Sequence, residues 1–279
     1  MKRHDQGLHH QAPSIGELPV TLTVQMTSLT TTFFLVAARV AGIIVTAPFF
    51  SSSYIPRSLR VAMVFMLALI LTPGLNAAPS MSGGLMLGAG VLVQFVVGTM
   101  MGLVLALFLS LFGMAGQIIT YQLGVGLAVA ANPGLLSEGS FLSEWETLLA
   151  LFVFVVGGGP ELMVIALHAS FQAISINAMV IPGASFGFVA GLFQTVLEIA
   201  LLMAAPLIIT GLIVNISVGV LSRAFPQLNA YFFSLPINFG LSLLIFVAIL
   251  PLMLSVMPTI WQHAWTDVSR LLVYLEGHA

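Results

Sequence analysis

The chain has 279 residues, enough for one large domain or two small ones. Hydrophobic residues make up 59% of it and charged residues 6%, where a soluble domain shows about 45–50% and about 25%. Seven basic and nine acidic side chains cannot cover a soluble monomer of this size. That composition excludes a soluble enzyme, a nucleic-acid binder or a disordered linker as the starting point. An integral membrane protein remains, or a subunit enclosed by a larger assembly. The net charge of -2 supplies no basic field, and Lys2 is the single lysine. With no cysteine there is no disulfide, thiolate ligand or thiol nucleophile.

Residues 1–27 are polar, contain Pro13, Gly16 and Pro19, and read as a flexible N-terminal tail without a cleavable signal pattern. His4, His9 and His10 cluster there, and a solvated tail accounts for them better than a metal site. A helical domain is expected over 28–262 and a C-terminal tail over 263–279. Its apolar segments fall near 28–50, 60–79, 84–112, 147–180, 186–222 and 237–260. They are apolar on all faces, without strand alternation, which predicts an all-α protein of about six membrane-type segments arranged as helical hairpins. The fourth and fifth segments are long enough to be bent or broken. Charges are absent between Arg60 and Glu138, between Glu161 and Glu198, and between Arg223 and Asp267.

The first segment carries Arg39 at its middle. Ten strongly apolar residues around it favour insertion by roughly -4 kcal/mol, and a central arginine costs about +3 on the same scale. The segment is viable but marginal, and Arg39 should face protein or water rather than lipid. Counting loop charges does not orient the chain: Lys2, Arg3 and Arg270 on one side balance Arg57, Arg60 and Arg223 on the other. Partner subunits would then fix the placement.

Three connectors separate the segments. Residues 47–57 hold Pro48, Pro56 and a serine run and should turn. The second connector runs from Gly113 to Gly139, and the third covers 221–236. Known catalytic patterns fail. No lysine follows a glycine loop, Gly124-Val125-Gly126 lacks a third glycine, and there is no paired-histidine zinc motif. No cofactor is expected, and the protein reads as non-enzymatic.

Four ionisable residues fall inside apolar stretches: Arg39, Glu161, His168 and Glu198. Glu161 and His168 are seven apart and would share a helix face, so an ion relay of a secondary transporter is conceivable. The favoured reading is structural, with these groups pairing with Arg39 or with partner subunits. The Gly113–Gly134 stretch has five glycines in 22 residues and polar Gln117, Tyr121, Gln122 and Asn132, but no charge. Gly113, Gly116, Gly124 and Gly126 each weaken a helix by about 1 kcal/mol relative to alanine. A soft segment sealing a pore and close packing through small residues both fit, the latter suggested by Gly98-x-x-x-Gly102 just upstream. Composition leaves both open, together with an inert scaffold whose glycines only pack.

Ordered motifs carry a resemblance. Ala37-Ala38-Arg39-Val40-Ala41-Gly42 leads to Thr46-Ala47-Pro48-Phe49-Phe50, Ile55-Pro56-Arg57 and Leu59-Arg60-Val61-Ala62. Gly116-Gln117-Ile118-Ile119, Gln122-Leu123-Gly124, Asn132-Pro133, Ala166-Leu167-His168 and Pro226-Gln227-Leu228-Asn229 follow. In order and spacing these resemble the FliR/SctT family of type III secretion export-gate subunits, from about residue 25 to 262, and its flagellar branch in particular. The resemblance implies a single copy packed with FliP and FliQ subunits in a helical pore assembly. It further implies FlhB and FlhA as neighbours and unfolded flagellar proteins as the exported substrates. The expected place is the bacterial inner membrane at the flagellar basal body, with segments largely raised out of the bilayer. The family's plug loop matches Gly113 to about Asn132, which favours the gating role. A virulence-secretion homologue of the same subunit is the alternative.

Overall fold

Long apolar runs must satisfy their own backbone groups, and among the described residues they do so by helix alone. The computed structural model describes residues 18–51, 55–75, 83–123, 141–181, 183–224 and 230–276. In chain order the helices are α1 (Leu18–Thr46), α2 (Pro48–Ser51), α3 (Arg57–Leu71), α4 (Gly84–Gln122), α5 (Phe141–Val156), α6 (Gly159–Ala173), α7 (Gly183–Ala224) and α8 (Ala230–Glu276). A 3₁₀ turn, Thr72–Gly74, closes α3. Five helices are long and apolar enough to cross a membrane, or six if the bent pair α5–α6 counts as one span. The all-α expectation of about six apolar segments holds.

Local chemistry sets the boundaries. Pro56, in extended conformation, caps the start of α3. The fourth apolar segment is broken, as its length allowed, and α5 and α6 meet at 66°. Gly158 supplies the left-handed φ of +78° that a side chain would resist, and Pro160 fits the first turn of α6. The fifth segment, by contrast, is one continuous helix, α7, with Pro206 inside it.

The helix α4 is central, packing against α1, α5, α7 and α8. Of its apolar stretch 56% is buried within the chain, against 11% for α3 and 17% for α8. Its crossing with α1 is built on glycine. A Cβ at Gly42 would strike the Phe95 carbonyl, one at Gly98 the Arg39 carbonyl, and one at Gly102 the Thr46 hydroxyl. Gly98-x-x-x-Gly102 is therefore a close-packing stripe. The main core joins Leu35 and Val40 of α1 to Val104 and Phe108 of α4 and to Trp261 and Leu271 of α8. Trp261 packs its ring on Phe154, with centroids 4.5 Å apart, and donates Nε1–H to the Ala150 carbonyl at 3.1 Å.

Two connectors are shorter than their composition suggests. α4 runs through Gly113 and Gly116 to Gln122, into the expected Gly113–Gly139 connector. Burial of Ala115, Ile119 and Leu123 outweighs the weak helix propensity of the two glycines there. α7 reaches Ala224 and α8 starts at Ala230, inside the expected 221–236 turn. α8 then continues to Glu276, into the stretch read as a C-terminal tail, burying Val268, Leu271 and Leu275.

At 1.5 Å per residue, the 39, 42 and 47 residues of α4, α7 and α8 extend about 58, 63 and 70 Å. Each is roughly twice the ~30 Å hydrocarbon layer. The α3 helix turns Val61, Phe65, Met66, Leu69 and Ile70 outward.

Candidate functional site

Arg39 is fully buried on α1 and forms the most densely bonded cluster among the described residues. Its Nε–H donates to Gln94 Oε1 of α4 at 2.8 Å, and Nη2 donates to the same oxygen. Nη1 donates to the Ser170 carbonyl at 2.7 Å and to Ser170 Oγ at 3.2 Å. Nη2 also reaches the Ile174 carbonyl at 3.1 Å. These five contacts match the five N–H donors of a guanidinium. The guanidinium carbon lies 4.2 Å from the centroid of the Phe171 ring. Gln94 passes the linkage on, donating Nε2–H to the Ser175 and Ile176 carbonyls at 3.3 and 3.0 Å.

Physically, Arg39 caps the C-terminal end of α6. Its acceptors there are end-of-helix carbonyls that carry the negative pole of the helix. A buried cation is thereby compensated without a carboxylate, and α1, α4 and α6 are fixed to one another. Facing protein rather than lipid is what the marginal first segment requires.

Glu161, His168 and Glu198 are not brought to this cluster. All three side chains are exposed, Glu161 in the first turn of α6, His168 two turns on, and Glu198 on α7. His168 Nε2 lies 3.4 Å from Gln172 Nε2. Pairing of these groups with Arg39, weighed from the sequence, does not occur, because Arg39 is already saturated by neutral acceptors. Among the described residues no three His, Asp or Glu side chains gather as metal ligands.

The second cluster surrounds the last turns of α4. Gly113 and Gly116 face α5, where Ser143 Oγ donates to the Gly113 carbonyl at 2.8 Å. A Cβ on Gly116 would sit 2.6 Å from Ser143 Cα and 3.2 Å from Glu146 Oε2. Glu146 is 1% exposed, and neither carboxyl oxygen has a hydrogen-bond partner among the described residues. Gln117 and Tyr121 point outward, Tyr121 with 74% exposure. Gln122 lays its Oε1 on Gly211 of α7, where a Cβ would have to push that amide aside. Its carbonyl accepts from Ser242 Oγ of α8 at 3.4 Å, and Ser242 also contacts Asn238 Oδ1 at 3.4 Å. Beneath this knot, Ile119 and Leu123 join Ala204, Leu207, Phe246 and Met253 in a small separate core. Gly124, Gly126 and Asn132 lie outside the described residues.

Sequence reading missed Gln94, Ser170, Ser143, Glu146, Asn238 and Ser242. Gln94 had a signal, being the one amide in an otherwise apolar 84–112 segment. Ser170 and Ser242 had none, since serine inside an apolar helix normally bonds its own backbone.

Fold and clusters together define an all-helical protein of membrane type, with a buried polar staple towards one end of its central helix and, towards the other, a seam without an ion pair among the described residues. Residues 30–264 match the family described as Bacterial export proteins, family 1, and the chain belongs to that family. It is similar to the flagellar biosynthetic protein FliR of Aquifex aeolicus, 27% identical over 80% of this chain and 87% of the relative. The corresponding protein of Caulobacter vibrioides is 26% identical over 84% and 92%. The surface presentation of antigens protein SpaR of Salmonella typhimurium is 30% identical over 75% and 78%.

Proposed function

We propose that the chain is a non-catalytic subunit of the flagellar type III protein export gate. In this reading it packs with FliP and FliQ, next to FlhB and FlhA, in the inner membrane at the basal body, and unfolded flagellar proteins pass through the shared channel. The observation that carries the gating part is the charge-free end of α4. Gly113–Gln122 is held by apolar contacts and hydrogen bonds to α5 and α8, with no ion pair among the described residues, and Gly124, Gly126 and Asn132 follow it in sequence. A seal of that kind can yield without breaking a buried ion pair. The outward faces of α3 and α8 supply apolar area for neighbouring subunits.

Ile119 and Leu123 belong to the fold, so the test lies beyond them. Removing residues 124–132 should leave the co-purifying complex intact and raise ion conductance across the membrane. A complex that assembles and stays ion-tight overturns the plug. Bulky residues at Gly124 and Gly126 should lower export. Against the transporter reading stands the placement of Glu161, His168 and Glu198 on exposed faces, away from Arg39. A second reading, the equivalent subunit of a virulence secretion system, is favoured by the 30% identity with SpaR. Loss of motility on deletion of the gene supports the flagellar reading, and retained motility the other.

A further inference from the structure

The seam between α4 and α5 is closely packed, yet it holds a group that no described residue satisfies. Gly116 and the Ser143 backbone approach so nearly that no Cβ fits between them, and Glu146 Oε2 borders the same spot. At 1% exposure the carboxyl group is beyond the reach of solvent, and both oxygens lack a partner among the described residues. A carboxylate finds no donor there among the described residues. Among the described residues no cation pairs with it either. α4 carries no charged residue, and Arg39 meets α4 at Gln94, 22 residues before Gly116, about 33 Å along the helix. The neighbouring hydroxyls are committed elsewhere: Ser143 to the Gly113 carbonyl, Thr147 to the Ser143 carbonyl and Thr120 to the Gly116 carbonyl. A buried polar group left unpaired in an otherwise satisfied native structure is a reservoir of strain.

We propose that Glu146 is the gating residue of the α4–α5 seam, unsatisfied while the seam is closed and hydrated when α5 separates from α4. The end of α4 is thus held by a contact built to part. This inference rests on the gate reading above and adds the residue that sets how readily the gate yields.

The test uses the intact co-purified complex, with amide hydrogen exchange at 143–147 as the readout of opening and export as the readout of function. Glu146→Leu removes the unmet polar demand. It should slow exchange at those amides about tenfold and lower export several-fold, since an apolar group of similar volume stabilises a buried site that an unpaired polar group destabilises. Glu146→Gln keeps the demand without the charge and should stay within about twofold of the parent in both readouts. Unchanged or faster exchange in Glu146→Leu overturns the inference, as does protection by Glu146→Gln equal to that by leucine. If Glu146→Leu does not assemble, Glu146→Met, closer in shape, takes its place. Failure of both also counts against the inference, which requires apolar replacements to strengthen the seam. Slower exchange with export unchanged overturns the gating role alone and leaves the plug, tested separately by ion conductance, standing.

Discussion

Arg39 and Glu146 are buried to the same depth, 0% and 1% exposed, on helices that pack against the same α4. At the Arg39 end every donor has an acceptor, and glycines let α1 and α4 touch backbone to backbone. At the Glu146 end glycine again brings the helices together, but around a carboxyl group with no partner among the described residues. The difference is one of satisfaction rather than burial. Close packing with complete bonding makes a fixed joint, whereas close packing over an unmet polar group makes a joint that can open.

Changes that break the fixed joint should have the largest effects. Gln94→Leu strips two donors of the buried guanidinium of their acceptor and should cost about 3–5 kcal/mol, read as loss of assembled complex or a large fall in thermal midpoint. Gly98→Val places side-chain atoms on the Arg39 carbonyl and forces α1 from α4, at about 1–3 kcal/mol or more, measured in the same melts. A smaller step is Trp261→Phe, which leaves the Ala150 carbonyl without its side-chain donor and should cost about 1 kcal/mol. Glu161→Gln, on an exposed face, should change the midpoint by less than about 0.5 kcal/mol and leave assembly intact. A severe effect of that last change would show that the face is covered in the assembly, and would redraw the contrast between core and surface.

Much of the fold was legible because lipid-like composition leaves helices as the only economical backbone solution, and because Pro56 marks a boundary by fixed stereochemistry, whereas the break at Gly158 and Pro160 lay inside the single segment read over 147–180. The burial of Arg39 was also legible, from the cost of an arginine in mid-segment. Its partners were not: an arginine suggests a carboxylate, and here the counter-charge is a helix end that has no residue signature. Glu146 was hidden for the opposite reason. Ser143-x-x-Glu146 looks like a capping box, in which both side chains would bond terminal amides. α5 instead starts at Phe141, so Ser143 turns to the Gly113 carbonyl and Glu146 is carried onto Gly116. The helical end of α4 was obscured by its glycines, whose local weakness is overruled by contacts distant in sequence.

The outward side of α3 has a cellular consequence. Val61, Phe65, Met66, Leu69 and Ile70 stay uncovered in the isolated chain. Copies translated in excess of their binding companions would display this greasy ridge to quality-control proteases. Turnover of orphan copies would then match the amount of this polypeptide to the supply of the subunits that cover it.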